Sequence, residues 1–267
     1  PLHFRSGRNP CALRSAPNPG VTEFGKWHRN WKKQIDFMVS QSGQMIEVEW
    51  QGEKLHFLAR KGLFWPREKT LFVADPHFGK AATFRKVGIP VSEHTTEDDC
   101  TRLLTMLEQT QASRMVFLGD FLHSRQGKTN PVRSLLFQWR EACAEVEILL
   151  VRGNHDLKSG DPWSELSIKC LPEPFQIEKW HCRHHPIEKP EFPYLAGHIH
   201  PGYSVRGMGR GSVRAACFWV RKRSIILPAF GSFTGLKNIE PQPDDKIYLS
   251  NGREIIEVGI AKRNLKF

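Results

Sequence analysis

The chain has 267 residues, a mass of 30.7 kDa, a net charge of +11 and a pI near 9.5. Apolar residues make up 39%, about 47% once the 21 Gly are added, which is globular content and excludes disorder over the whole length. Six Cys, none in a CxxC pair, exclude a disulfide-dense scaffold or zinc knuckle; no apolar run approaches the ~18 residues of a membrane span; and the charge favours phosphate-bearing partners.

Residues 1–44 are rich in Pro, Arg, Asn and Ser, carry seven Lys/Arg against two acidic residues, and show no sustained period. They read as a flexible basic arm or an extension outside the natural domain, leaving a single domain over 45–267. A short helix carrying Trp27, Trp31, Ile35 and Met38 is the alternative for part of this stretch. The first 30 residues hold no apolar signal core, so a cytoplasmic protein with reduced thiols is expected.

From Met45 the pattern is regular. Ile46, Val48 and Trp50 alternate, and Leu55, Phe57 and Leu63–Trp65 mark two more short strands, so an N-terminal hairpin is expected. Continuous apolar runs follow at 71–74, 115–118 and 148–151. Their lack of alternation predicts strands buried on both faces. Cys100, Leu103, Leu104 and Leu107 form a helical stripe between the first two, and Pro131 opens a helix to about Cys143. This β-α-β-α-β order predicts a parallel sheet with right-handed crossovers. Strand candidates at 175–182, 193–197, 213–220, 223–228, 245–249 and 253–258 predict a second sheet.

Each buried run ends in metal-binding donors: Asp75-Pro76-His77, Gly119-Asp120 and Gly153-Asn154-His155-Asp156. Ligands of open α/β sheets bind at the carboxyl ends of strands, so these three groups converge. Downstream stand His184-His185-Pro186 and Gly197-His198-Ile199-His200. Residues i and i+2 of extended backbone share a side, which pairs Asp75 with His77 and His198 with His200. Adjacent His184 and His185 face opposite ways, so one of them is the ligand. Two carboxylates, an amide and four or more imidazoles exceed one tetrahedral zinc and suit two divalent ions about 3.5–4 Å apart. Nitrogen and oxygen donors without thiolate suit Mn, Fe, Zn or Co. Each motif alone means little; their joint order behind apolar runs carries the inference. His3, His28, His56, His94 and His181 have no assigned task.

The order D-x-H, G-D, G-N-H-D, H-x-P, G-H-x-H resembles that of the calcineurin-like metallophosphoesterase superfamily. Phe64–Glu68, Asp75–Ala81, Phe84–Pro90 and Leu227–Gly235 further resemble its PdeM group, described as ligase-associated DNA damage response endonucleases. The resemblance spans about 45–258; the 44-residue extension and Pro76 within D-x-H depart from it. It implies an α/β fold, a four-layer α/β/β/α sandwich with two mixed sheets flanked by helices. One metal would take Asp75, His77 and His200, the other Asn154, His184 and His198, with Asp120 bridging. His184 is preferred over His185 as the first residue of H-x-P. His155 would protonate the leaving group or bind a phosphate oxygen, and Asp156 would orient its ring.

The resemblance implies a phosphoester hydrolase, and two such ions a metal-bridging hydroxide; the donors do not select among the metals, and Mn is the one expected. Charge and resemblance favour DNA phosphodiester cleavage, by an endonuclease serving repair beside a DNA ligase or helicase. The alternatives are a phosphatase or phosphodiesterase for a small nucleotide or other ester, and a non-catalytic partner-binding module. Lys80, Arg85, Lys86, His123, Arg125 and Lys128 are candidate substrate contacts, a solvated helix face or polar loop being the alternative. Arg206, Arg210, Arg214 and Arg221-Lys222-Arg223 form a separate basic stretch; the last three are read as a hairpin tip that meets DNA only if it shares a face with the metals. Trp163, Trp180 and Trp219 read as core or edge packing.

Overall fold

The computed structural model describes residues 45–92, 94–206 and 212–258. The basic arm, its alternative short helix and Arg210 lie outside the described residues. The first sheet runs β1 (Met45–Trp50), β2 (Glu53–Leu58), β3 (Leu63–Trp65), β4 (Thr70–Val73), β5 (Arg114–Leu118), β6 (Glu147–Val151) and β7 (Lys169–Leu171), in that spatial order. β1 to β4 pair antiparallel and β4 to β7 parallel, so the sheet is mixed.

The buried runs behave as their composition requires. Leu71, Val73, Met115, Phe117, Ile148 and Leu150 point to one core. Their alternates Phe72, Ala74, Val116, Leu118, Leu149 and Val151 point to another. The first core is closed by helices α1 (Lys80–Lys86), α2 (Thr95–Thr110) and α3 (Asn130–Ala142), and a short α4 (Asn154–Ser159) follows β6. The Cys100, Leu103, Leu104 and Leu107 stripe of α2 packs there with Val132, Leu136 and Trp139 of α3. Burying each large apolar side chain contributes about 1.5–3 kcal/mol. Thr129 caps α3 by accepting from the Val132 N–H, with Pro131 in the first turn, where a missing N–H is harmless.

The second core lies between this sheet and another of order β14-β11-β12-β13-β10-β9-β8, with β15 paired to β12 and β16. These strands are β8 (Phe175–Ile177), β9 (Trp180–Cys182), β10 (Tyr194–Ala196), β11 (Pro201–Arg206), β12 (Ser212–Arg221), β13 (Ser224–Ile226), β14 (Lys237–Asn238), β15 (Lys246–Ser250) and β16 (Ile255–Val258). Stacked Trp65 and Trp180, with ring centroids 4.0 Å apart, join the sheets, so Trp180 is core. Trp219, on a strand paired on both sides, is partly buried against two smaller apolar clusters and donates to Asp245 Oδ2 at 2.8 Å. The protein is thus an α/β fold of two mixed sheets flanked by helices, and the described helices cover the outer face of the first sheet. The expected single strand over 175–182 is instead the β8–β9 hairpin, turned at Glu178, whose φ is 50°.

Strand direction positions the site. β4, β5 and β6 are parallel, as are β9, β10 and β13. A parallel bridge from Ala74 to Ala229 aligns the two sheets at their carboxyl edges.

Candidate metal centre

All five motifs leave strands at this common edge. Asp75 and His77 follow β4, Asp120 follows β5, Asn154 and His155 open α4 after β6, His184 follows β9, and His198 and His200 follow β10. Asp75, His77, Asp120, His198 and His200 all have left-handed backbones, with φ of 50, 49, 50, 71 and 52°. Such conformations cost about 1–3 kcal/mol each and persist where the surroundings over-determine them. Here His77 N–H donates to Asp120 O at 2.9 Å, and His198 N–H to Asp75 Oδ2 at 2.8 Å. The segments therefore hold one another.

Two groups of donors result. His77 Nε2 lies 3.3 Å from His200 Nε2, which lies 3.7 Å from Asp75 Oδ2. His184 Nε2 lies 3.0 Å from both Asn154 Oδ1 and His198 Nδ1. Asp120 faces both groups: its Oδ2 is 3.8 Å from His77 Nε2 and its Oδ1 3.5 Å from His184 Nε2. His184 Nδ1, 3.1 Å from Leu118 O, is assigned the proton, leaving Nε2 free to ligate. Gly119, with φ of 83°, permits this packing, because a Cβ there would lie 2.0 Å from His184 Nδ1. At Gly197 a Cβ would lie 2.6 Å from Asp75 Oδ2.

His184 is fully buried, whereas His185 is half-exposed and its Nδ1 is 2.5 Å from Glu173 Oε1. Glu173 Oε2 also accepts from the His184 and His185 amides at 2.9 and 3.0 Å. Sequence reasoning missed this anchor, since a lone Glu before Pro carries no motif.

Burial pushes the Asp75 carboxyl well above the usual range, and the Asp120 charge adds to this. Asp120 is raised by burial as well. Burial lowers His184 and His200 to about 4 and His77 to about 2, and it lowers His198 too. The imidazoles are neutral at pH 7, with lone pairs available. Asp75 Oδ1 and His77 Nδ1 are buried with no hydrogen-bond partner among the described residues. Two buried carboxylates and a set of neutral imidazoles turn oxygen and nitrogen donors toward one another, so the residues present fit divalent cations. His77, His123 and His155 form a further group able to hold an ion.

His155 is arranged differently from expectation. Its Nδ1 meets the His123 carbonyl at 2.6 Å, and its Nε2 is 4.0 Å from Asp120 Oδ2. Asp156 does not orient that ring. It accepts from the Gly153 and Leu122 amides at 2.9 and 3.3 Å, locking two site loops together, because its place in the first turn of α4 faces back to the chain. Burial raises its carboxyl to about 6.

Lys80 opens α1 half-buried, and its charge helps lower His77, His123 and His200. Of the other expected substrate contacts, His123 stacks on His155 with its Nδ1 buried and unpartnered among the described residues, whereas the basic ones are engaged with backbone: Arg85 donates to Val91 O and Ser92 O at 3.3 and 3.1 Å, and Arg125 to Lys158 O at 3.0 Å. Lys86 and Lys128 likewise donate to Gln126 O and Asp161 O at 2.8 and 2.7 Å, and Lys128 lies over Trp163. The tip at Lys222-Arg223 precedes β13, so it sits at the opposite edge from the donors and shares no face with them. Arg214, exposed, donates to the Leu236 carbonyl.

Among the described residues no helix is long and apolar enough to cross a membrane. No curated protein sequence matches the chain. Residues 68–219 match the family model for calcineurin-like phosphoesterase. Among solved structures, the Pseudomonas putida nuclease MPE is 34% identical, over 80% of this chain and 100% of its own, with a TM-score of 0.71. The E. coli phosphoesterase YfcE is 17% identical, over 72% of this chain and 98% of its own, with a TM-score of 0.35. With two aligned sheets, Asp and His donors gathered at one edge, the family-model match over 68–219 and the likeness to the MPE nuclease, the chain belongs to the calcineurin-like phosphoesterase family.

Proposed function

We propose that the protein is a phosphodiesterase that holds two divalent ions and cleaves DNA. The observation carrying this is the position of Asp120, whose two oxygens face separate donor groups. Asp75, His77 and His200 hold one ion, Asn154, His184 and His198 the other, and Asp120 both. Such ions supply a water-derived nucleophile near neutral pH and screen phosphate charge. Mixed nitrogen and oxygen donors without thiolate suit Mn, with Fe, Zn or Co as substitutes.

The chain's own residues do the rest. His155 keeps its Nδ1 proton on the His123 carbonyl and presents Nε2 to protonate the leaving oxygen. Asp156 positions His155 through the backbone of Gly153 and Leu122. Lys80 receives a phosphate oxygen. The nuclease reading draws on the likeness to the MPE nuclease and on the +11 charge. A role in DNA repair beside a ligase or helicase and a cytoplasmic location, suited to the five free cysteines among the described residues, complete the proposal.

The test is purified protein with Mn²⁺ on a bis-nitrophenyl phosphodiester, its monoester, and single- and double-stranded DNA, with and without chelator. Metal-dependent cleavage of the diester and DNA is expected. Monoester turnover with inert DNA would favour a small ester, and a metal-loaded but inert protein a binding module.

A further inference from the structure

Aromatic rings continue outward from the donors. His123 and His155 stack at 5.0 Å with planes 24° apart, and both meet His77 edge-on. Phe84 of α1 lies on His123 at 6.3 Å and 18°. Phe233, from the loop after β13, meets Phe84 at 5.3 Å and 70°. His77 at the inner end is 5% exposed and Phe233 at the outer end 43%.

Phe233 is held in the open by its neighbours. Ser232 Oγ donates to Asp99 Oδ1 at 2.6 Å, and Thr234 Oγ1 to Gly231 O at 2.9 Å. A fixed loop that leaves a phenyl ring in water keeps it ready for a partner. Val87, Ile89 and Leu157 are also exposed, on α1's end and on α4, so half of the large exposed apolar side chains described lie on segments bordering the centre. Phe233, Lys80 and His77 line one crevice. Residues 192–239, which include this loop, contain no Asp or Glu to repel a polyanion.

Resting on the nucleic-acid reading above, we infer that Phe233, backed by Phe84, is the stacking platform for the base adjoining the phosphate that is cleaved. The phosphate lies toward the donors and Lys80, and the open face of the base lies on the ring.

The test uses an oligonucleotide carrying a single tetrahydrofuran abasic residue, moved one position at a time. For the wild type, cleavage at the phosphate beside the missing base should fall on the order of tenfold. Phe233→Ala should cut intact DNA with kcat/KM lower by a similar factor and show no abasic penalty, with metal content and Tm unchanged. Phe233→Leu, which keeps apolar bulk without a ring, should behave alike, and Phe233→Trp should restore the penalty. Unchanged cleavage by Phe233→Leu, or a penalty that survives the substitution, would overturn the platform alone. Hydrolysis of a small phosphodiester with neither oligonucleotide bound nor cut would overturn the platform and the nucleic-acid reading together.

Discussion

The two edges of the sandwich use charge in opposite ways. At the carboxyl edge, two carboxylates and four imidazoles gather in groups whose donor atoms lie within 4.8 Å of one another, all but His198 largely out of water and all but His184 on left-handed backbone. At the other edge Arg221, Lys222 and Arg223 surround a two-residue turn, with Lys222 and Arg223 exposed. Arg221 lies over Trp219, and Arg223 donates to the Pro190 and Glu191 carbonyls at 3.1 and 3.0 Å. Burial and strain mark the first as a site; exposure and local satisfaction mark the second as a solvated tip.

The sharpest way to break this contrast is Asp120→Asn, which removes the charge facing both donor groups. It should abolish hydrolysis and release bound metal; full occupancy by elemental analysis would refute the shared role. His155→Ala should keep its metal yet lose about 10²–10⁴-fold in kcat, as removal of a general acid does. Wild-type turnover would remove His155 from the chemistry.

Stability against pH tests the burial itself. In metal-free protein His77, His123, His184 and His200 lie at about 2, 4, 4 and 4 against an ordinary 6.5. The unfolded chain therefore binds more protons on these groups, and stability present above pH 6.5 is lost as pH falls toward 4. Raised Asp75, Asp120 and Asp156 contribute stability that is lost as pH rises, so they offset part of this. With imidazoles the more numerous, the Tm of chelated protein should fall between pH 6.5 and 4. A rising Tm would mean that the carboxylates dominate. The smallest effect belongs to the other edge: Lys222→Glu should leave DNA cleavage unaltered and stability within about 0.5 kcal/mol. A large fall in cleavage would bring that tip into the substrate path.

Much of this was legible before folding. The runs at 71–74, 115–118 and 148–151 are β4, β5 and β6 to within a residue, because strands buried on both faces have no alternation to obscure. The short helix α1, the strands β7, β11 and β14, and the β8–β9 turn were not legible. β11 is as long as β1 but opens on Pro201-Gly202 with only Tyr203 and Val205 apolar; the others are too brief to carry a period, and tertiary contacts hold them.

At the site, motif order singled out Asp75, His77, Asp120, Asn154, His198 and His200 and left His184 and His185 open; the family resemblance chose His184 by its place in H-x-P. Their residue types bind metal whatever the fold, and each follows a strand. Only the tertiary structure decided that Asp156 braces backbone, that Glu173 anchors the His184 loop, and that Phe84 and Phe233 share a rim. Those relations join residues up to 149 positions apart, from Phe84 to Phe233. They depend on which atoms packing brings within a few ångströms, and no local pattern encodes that distance.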